Sequence, residues 1–164
     1  MKKKQLSSAQ IVARLEDLCV RSEQSVFDLR QKISRWGLTD PMETDRIIDG
    51  LIDRRFVDDS RFARAYVRDK YRFDRWGRMK IIRGLIARRI PRPTIDEALE
   101  EIDNREYALN CYRLLCSRRR QIPDSVEPHD ARQRLMRFAA ARGYELSLIV
   151  RLIEKKRLWG NSTD

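Results

Sequence analysis

The sequence has few of the residues that build catalytic and metal sites. It has one histidine, His129, and three cysteines, Cys19, Cys111 and Cys116, and no two of the cysteines form a C-x-x-C pair. Four-ligand zinc sites need more such residues at closer spacing, and a catalytic triad needs a partnered histidine. No glycine-rich phosphate-binding motif is present. We therefore predict no enzyme activity, no catalytic residue, no metal and no cofactor.

Long apolar runs are also missing. No stretch approaches the roughly 18 apolar residues of a membrane span. The basic start, Met1-Lys2-Lys3-Lys4, is followed by polar residues rather than by the apolar core of a signal peptide. The sequence therefore predicts a cytoplasmic protein with no membrane partner. Thiols stay reduced in that compartment, so we interpret the three cysteines, which lie at or beside apolar helical positions, as small core residues.

Positive charge is present in excess. Of the 164 residues, 36 are lysine or arginine and 25 are aspartate or glutamate, which gives a formal net charge of +11. Arginine accounts for 28 of the basic residues. Its planar guanidinium binds phosphate or carboxylate through two hydrogen bonds. This composition favours a polyanionic or acidic partner.

Apolar residues recur at three- and four-residue spacing through almost the whole chain, and no segment alternates as a strand would. We therefore predict nine short helices and an all-α fold. Capping signals predict helix starts at Asp40-Pro41-x-Glu43, Asp58-Asp59, Thr94-x-x-Glu97 and Asp103-x-x-Glu106. Breaks are predicted at Trp36-Gly37, Trp76-Gly77, Pro91-Arg92-Pro93, the segment 123–128 and Arg142-Gly143.

The nine predicted helices align as a repeat of three groups. The aligned positions in the middle helices are Leu29, Ile81 and Leu135, then Ile33, Leu85 and Ala139, then Gly37, Arg89 and Gly143. No group alone buries enough apolar surface to be safely stable, so neighbouring groups must stack. We predict three tandem three-helix modules, at residues 9–57, 58–102 and 103–157, stacked into an elongated curved array.

The second and third modules are predicted to present similar basic faces. Lys80 and Arg83 point outward on a helical wheel, and the repeat aligns them with Arg134 and Arg137, whereas the first module is not basic there. Stacked side by side, these faces would form one positive stripe, suited to a phosphate backbone or to an acidic protein groove. The alternative is an ordinary solvated surface. The predicted contact residues are Arg68, Arg72, Arg75, Lys80, Arg83, Arg113, Arg134 and Arg137.

Aromatic residues alternate with cations in the segment 70–78. Aromatic rings beside arginine can stack on unpaired bases. The structural alternative is that Tyr71, Phe73 and Trp76 close the corner between two helices, and this alternative is favoured for Phe73 and Trp76. The triplet Arg118-Arg119-Arg120 is expected to end a helix, where cations favour the helix dipole.

The central segment resembles the RecX family of regulatory proteins. The similar runs are Phe56-Val57-Asp58-Asp59-x-Arg61-Phe62-Ala63-x-x-Tyr66 and Gly77-x-x-Lys80-Ile81-x-x-x-Leu85-x-x-Arg88-x-Ile90. Segments 21–33 and 137–144 resemble the first and third modules of that family. Two positions depart from the family pattern: Gly84, where an acidic residue or glutamine is usual, and Arg89, where glycine is usual. The missing glycine at position 89 puts a left-handed helix cap there in question.

The resemblance implies a non-enzymatic regulator of the RecA recombinase. Such a protein is expected to bind the RecA–DNA filament and to inhibit its extension, ATPase and strand exchange. The expected partners are the RecA filament and, weakly and in a salt-dependent way, single- and double-stranded DNA, with the protein acting as a monomer. Two alternatives stay open at this point: a stand-alone helical DNA-binding regulator, and a scaffold for an acidic protein unrelated to recombination.

Overall fold

The computed structural model describes residues 6–155, which form nine helices and no strand. The helices are α1 (Ser8–Arg21), α2 (Val26–Arg35), α3 (Pro41–Asp53), α4 (Asp59–Arg72), α5 (Arg78–Ile86), α6 (Arg92–Leu99), α7 (Asn104–Arg119), α8 (Pro128–Ala141) and α9 (Leu146–Lys155). The all-α prediction is confirmed. Residues 156–157, with which the predicted third module ends, and the basic start of the chain lie outside the described part.

Two predicted helix starts are confirmed by their capping bonds. At α3, the Asp40 carboxylate accepts a hydrogen bond from the Met42 N–H at 3.1 Å, and Pro41 occupies the first turn. At α7, the Asp103 carboxylate accepts from the Glu106 N–H at 2.7 Å. Each aspartate satisfies an N–H that has no partner inside the helix, which fixes where the helix begins.

The adjacent aspartates Asp58 and Asp59 serve two different helices. Asp58 accepts from the Ser60 and Arg61 N–H groups at 2.8 and 3.1 Å and so caps α4, as predicted. Asp59 instead accepts from the N–H of Val26, the first residue of α2, at 2.9 Å. Burial of the Asp59 carboxyl raises its pKa. The second aspartate therefore ties the start of α4 to the start of α2.

The capping box predicted at Thr94 is wrong. The helix α6 begins at Arg92, so Thr94 lies in its first turn, and the Ile95 N–H donates to the Pro91 carbonyl at 3.1 Å. Proline is tolerated in a first turn because the N–H that it lacks would have no helical partner there. Pro93 therefore lies inside the helix that Thr94 was expected to begin.

The chain packs as two units. The first contains residues 6–66 and 85–98, and the second contains residues 67–84 and 99–155. The predicted module boundaries at 9–57, 58–102 and 103–157 stay a prediction.

The first unit has an aliphatic core. Within it, α3 packs against α1 and α2. The buried residues of this cluster are Ile11, Leu15, Leu29, Ile33, Ile47, Ile48, Leu51 and Val57. Each such side chain contributes about 1.5–3 kcal/mol when it is fully buried, so this cluster is the main source of stability of the unit.

The second unit combines aliphatic side chains with buried tyrosines. In this unit α7, α8 and α9 pack against one another. The Tyr107 ring lies between those of Tyr71 and Tyr144, with centroid separations of 6.2 and 5.1 Å. All three tyrosines are buried. Their hydroxyl groups therefore need partners inside the fold, and these partners position the candidate site described below.

The aligned repeat positions share a backbone conformation. The φ angles are 96°, 58° and 91° at Gly37, Arg89 and Gly143. After α5, the Arg89 N–H donates to the Ile86 carbonyl at 2.8 Å, and the Ile90 N–H donates to the Leu85 carbonyl at 3.1 Å. These two bonds form the Schellman motif of a left-handed helix end. The cap that the missing glycine had put in question is therefore present, with arginine in the left-handed position.

Candidate interaction surface

All eight predicted contact residues belong to the second unit. The helix α4 supplies Arg68 and Arg72, the next loop Arg75, α5 Lys80 and Arg83, α7 Arg113, and α8 Arg134 and Arg137. Seven are exposed and Lys80 is half-buried. Within residues 6–155, none of the eight pairs with a carboxylate. By contrast, seven of the 13 basic residues described in the first unit form such pairs.

The positive charge of the described chain resides in the second unit. The first unit has 13 basic and 13 acidic residues between positions 6 and 98, whereas the second has 18 basic and 11 acidic residues up to position 155. The first unit is therefore formally neutral and the second has a net charge of +7. An uneven distribution of this kind concentrates the attraction for anions on one part of the chain.

Arg75, in the loop after α4, contacts α7 close to the position of Arg113 in that helix. The Asn110 amide, which is buried, donates to the Tyr71 hydroxyl at 3.0 Å and accepts from an Arg75 guanidinium nitrogen at 3.3 Å. Arg113 follows Asn110 by three residues, which is almost one helical turn. The buried amide therefore holds the loop after α4 against α7, next to a second arginine.

The start of α5 rests on the turn that follows α8. The Gly77 N–H donates to the Arg142 carbonyl at 2.8 Å, and the Met79 N–H donates to the Gly143 carbonyl at 3.0 Å. A Cβ atom added to Gly143 would overlap the Lys80 side chain, so Lys80 lies directly against this turn. The contact joins the end of one helix to the beginning of the other.

Two of the predicted pairs of cations are linked through this contact. Arg134 and Arg137 lie on α8 about 13 and 9 Å of helical rise before Gly143, and Lys80 and Arg83 lie on α5 just after it. No single contact joins all eight predicted residues within the described chain, and the continuous stripe stays a prediction.

Arg83 and Arg137 are held to their own helices by one nitrogen each. The Arg83 Nε donates to the Met79 carbonyl at 3.1 Å, and the Arg137 Nε donates to the Gln133 carbonyl at 3.4 Å. These bonds leave the two terminal nitrogens of each guanidinium without a partner in residues 6–155. A guanidinium held in this way can still bind phosphate or carboxylate through two parallel hydrogen bonds.

The aromatic residues of the segment 70–78 have three different environments. Tyr71 is buried, and the half-buried Trp76 has the Lys70 and Lys80 ammonium groups at 4.7 and 4.2 Å from its ring centroid. These two aromatic residues fit the corner interpretation. Phe73 does not, because 78% of it is exposed. The prediction that Phe73 closes the corner is wrong.

Tyr107 is the centre of a polar cluster that anchors α5. Its hydroxyl donates to Glu145 Oε2 at 2.6 Å and accepts from the Arg78 N–H at 2.9 Å. The Arg78 guanidinium lies 4.0 Å from the centroid of the Tyr107 ring. Burial raises the pKa of Tyr107, so its hydroxyl keeps the proton that it donates. The first residue of α5 is thereby fixed to α7 and to the residue that precedes α9.

Comparison with known proteins identifies the central segment of the chain. Residues 58–99 match the family model for the second three-helix domain of RecX. This segment is a RecX-type three-helix domain. The prediction of a three-helix module is thereby confirmed for this segment. No curated protein matches the chain in a sequence comparison.

The RecX fold extends over most of the chain. It is similar to a crystal structure of regulatory protein RecX, with a TM-score of 0.80 and 20% sequence identity over 90% of this chain and 73% of that one. It is also similar to the crystal structure of RecX from Lactobacillus salivarius, with a TM-score of 0.74 and 15% identity over 92% of this chain and 99% of that one.

Two arginines of the RecX signature have structural partners. Arg88 Nε donates to Asp28 Oδ2 at 2.9 Å, and its guanidinium lies 5.1 Å from the centroid of the Tyr66 ring. Arg61 donates to both Glu23 carboxylate oxygens, at 3.0 and 3.3 Å. Asp28 is the residue that the repeat aligns with Lys80. Its pairing with Arg88 explains why this position of the first module is acidic.

Sequence reasoning missed Asn110 and Tyr107 as organising residues. Asn110 is a polar residue within an apolar helical stripe, next to Cys111. A polar side chain at such a position indicates a buried hydrogen-bonding group, and this was the signal in the sequence. The partners of Tyr107 could not be inferred, since Glu145 lies 38 positions further along the chain.

Neither a membrane-spanning helix nor a metal-binding cluster occurs in the described part of the chain. None of the helices between positions 6 and 155 combines the length and the apolar character that a membrane crossing requires. The same residues contain no group of three or more histidine, cysteine, aspartate or glutamate side chains placed to hold a metal ion.

Proposed function

We propose that this RecX-family protein binds the RecA–DNA filament and inhibits its extension, ATPase activity and strand exchange. It acts as a cytoplasmic, non-enzymatic monomer, and the cations of the second unit make the contact. The observation that supports this proposal is the charge distribution: a formally neutral first unit, and a second unit with a net charge of +7.

The chemistry of the unpaired cations suits such a target. A protein filament on DNA offers phosphate groups and acidic side chains, and cations that bind phosphate release condensed counterions. The eight predicted residues have no carboxylate partner in residues 6–155, so binding would not first require an internal ion pair to break. Binding driven in this way weakens as salt rises, and its orientation follows from charge complementarity.

Charge reversal tests the proposal. We expect the double variants K80E/R83E and R134E/R137E, and the combined quadruple variant, to keep the helical circular dichroism of the wild type and to lose inhibition of RecA ATPase on single-stranded DNA. The matched control for each double variant is R35E/R46E, which changes the net charge by the same amount at two exposed arginines of the first unit. Full inhibition by the quadruple variant, or an equal loss in the control, would contradict the proposal.

A binding series separates the alternatives. Electrophoretic shifts in rising salt, with and without RecA, distinguish a filament ligand from a stand-alone DNA-binding regulator. Sequence-selective binding to duplex DNA without RecA would favour the stand-alone DNA-binding regulator. Each mismatched base pair in the site would then weaken binding by a separate step. Inhibition at far less than one copy per RecA would indicate action at filament ends or on growth.

A further inference from the structure

We propose that Phe73 is a stacking platform for an unpaired base of single-stranded DNA. This inference rests on the proposed function and deepens it, because it assigns the corner between α4 and α5 to the nucleic-acid component of the filament rather than to its protein.

The Phe73 ring is presented to solvent from an ordered backbone. Its N–H donates to the Asp69 carbonyl at 2.9 Å, which continues the hydrogen bonding of α4 by one residue. The side chain is nonetheless 78% exposed, the largest exposed fraction among the large apolar residues described. Within residues 6–155 the ring contacts no other aromatic ring and no cation. The fold therefore gains little from an aromatic residue at this position.

The other aromatic residues of the segment are already occupied. Tyr71 is 4% exposed, and its hydroxyl is bonded to Asn110. Trp76 has two lysine ammonium groups against its ring, and each contributes a cation–π attraction that a stacking base would have to replace. Phe73 is the aromatic residue of this segment whose ring is open to a ligand.

The surroundings of Phe73 favour a nucleic acid over an apolar protein pocket. The nine residues 70–78 include four cations and one carboxylate. Arg72 precedes Phe73 and is exposed. Arg75 has a left-handed φ of 55°, a conformation that arginine seldom adopts. Neither arginine pairs with a carboxylate in the described chain. In the sequence Phe73 lies between two arginines that have no carboxylate partner within residues 6–155, and this combination suits a base and its neighbouring phosphates.

Binding to a fluorescent thymidine oligonucleotide tests this inference without RecA. We expect F73A to weaken binding in an anisotropy titration by about 5- to 150-fold, the range that base stacking on aromatic residues gives. F73W should retain the affinity and F73L should not, because leucine is apolar but cannot stack. F73A should weaken binding to a duplex of the same length much less, since its bases are already stacked.

Salt dependence separates stacking from charge. F73A should leave the slope of the logarithm of affinity against the logarithm of salt unchanged, whereas R72Q should reduce its magnitude by about 0.7, the value for one phosphate on a single strand. The matched control is V20A, which truncates a residue that is 76% exposed in the first unit. We expect V20A to bind as the wild type does.

Several outcomes would overturn the inference. They are wild-type affinity in F73A, wild-type affinity in F73L, an equal loss on duplex DNA, or no binding of the oligonucleotide by the wild type. Unchanged oligonucleotide binding with lost RecA inhibition in F73A would assign Phe73 to an apolar pocket of the protein partner. None of these results affects the charge-reversal test of RecA inhibition. The stacking role of Phe73 can therefore be disproved without disproving the proposed function, and the reverse also holds.

Discussion

Gly77 packs directly against Gly143, with the Gly77 N–H bonded to the Arg142 carbonyl at 2.8 Å. A Cβ atom on Gly77 would overlap the Gly143 carbonyl carbon, and a Cβ atom on Gly143 would overlap Lys80. Gly143 also has a φ of 91°, a conformation that L-residues seldom adopt. The join between α8 and α5 therefore requires a residue without a side chain on both sides.

We expect G77A to lower the free energy of unfolding by about 2–4 kcal/mol, because the backbone atoms that meet the new methyl group cannot rotate away. The matched control is G50A. Nothing lies within 4 Å of a Cβ atom at Gly50, inside α3, so this change should raise the stability by about 0.5–1 kcal/mol. Urea unfolding followed by circular dichroism measures both. A change in the free energy of unfolding with the same sign in both variants would contradict the close approach of Gly77 to Gly143.

Arg89 should be replaceable by glycine with a gain in stability. At a φ of 58° the Cβ of arginine is unfavourable, and glycine has no such penalty. We expect R89G to stabilise the protein by about 0.5–1 kcal/mol, after the loss of the contact in which the Arg89 guanidinium lies 5.6 Å from the centroid of the Phe27 ring. R89A loses the same contact but keeps a Cβ, so it should not stabilise. Thermal unfolding of the two variants isolates the backbone effect.

Stability should fall at high pH through the buried tyrosines. Burial raises the pKa of Tyr107 and of Tyr144 above the value of about 10 that tyrosine has in the unfolded chain. The folded form therefore holds protons that the unfolded form loses. Its stability is complete below about pH 10 and declines as pH rises beyond that value. Urea titrations at pH 8 and at pH 11 would reveal this decline.

Y107F tests the source of the pH dependence. It should show a shallower decline above pH 10, because one of the titrating hydroxyls is gone. At neutral pH it should be less stable by about 1–3 kcal/mol, since Glu145 loses its donor and the Arg78 N–H loses its acceptor. An unchanged decline in Y107F would assign the pH dependence to other groups.

Cys111 should resist thiol reagents in the folded protein. Burial raises its pKa to about 12, and the thiolate is the reactive form. In a C19S/C116S variant, labelling by Ellman's reagent at pH 8 should be slow and should accelerate in urea at the unfolding transition. Rapid labelling without urea would contradict the burial of this residue.

Local sequence signals predicted the helices, whereas features that depend on contacts between distant parts of the chain could not be predicted. Asp40 and Asp103 mark helix starts because a cap bonds to an N–H two or three residues away. The exposure of Phe73 and the meeting of Gly77 with Gly143 depend on which distant elements pack there, which no local pattern encodes. At the surface, composition predicted that a basic part of the chain binds an anionic or acidic partner. Helical wheels could not determine how far apart the cations of that part lie.

The hydrogen bonds between the start of α5 and the turn after α8 make the family-matched segment dependent on the chain beyond it. An excised fragment of residues 58–99 would leave the Gly77 and Met79 N–H groups without the carbonyls of Arg142 and Gly143. During synthesis the same groups must wait until more than sixty further residues have been translated. We therefore expect the Gly77 and Met79 N–H groups to become protected from hydrogen exchange only after the turn that follows α8 has folded.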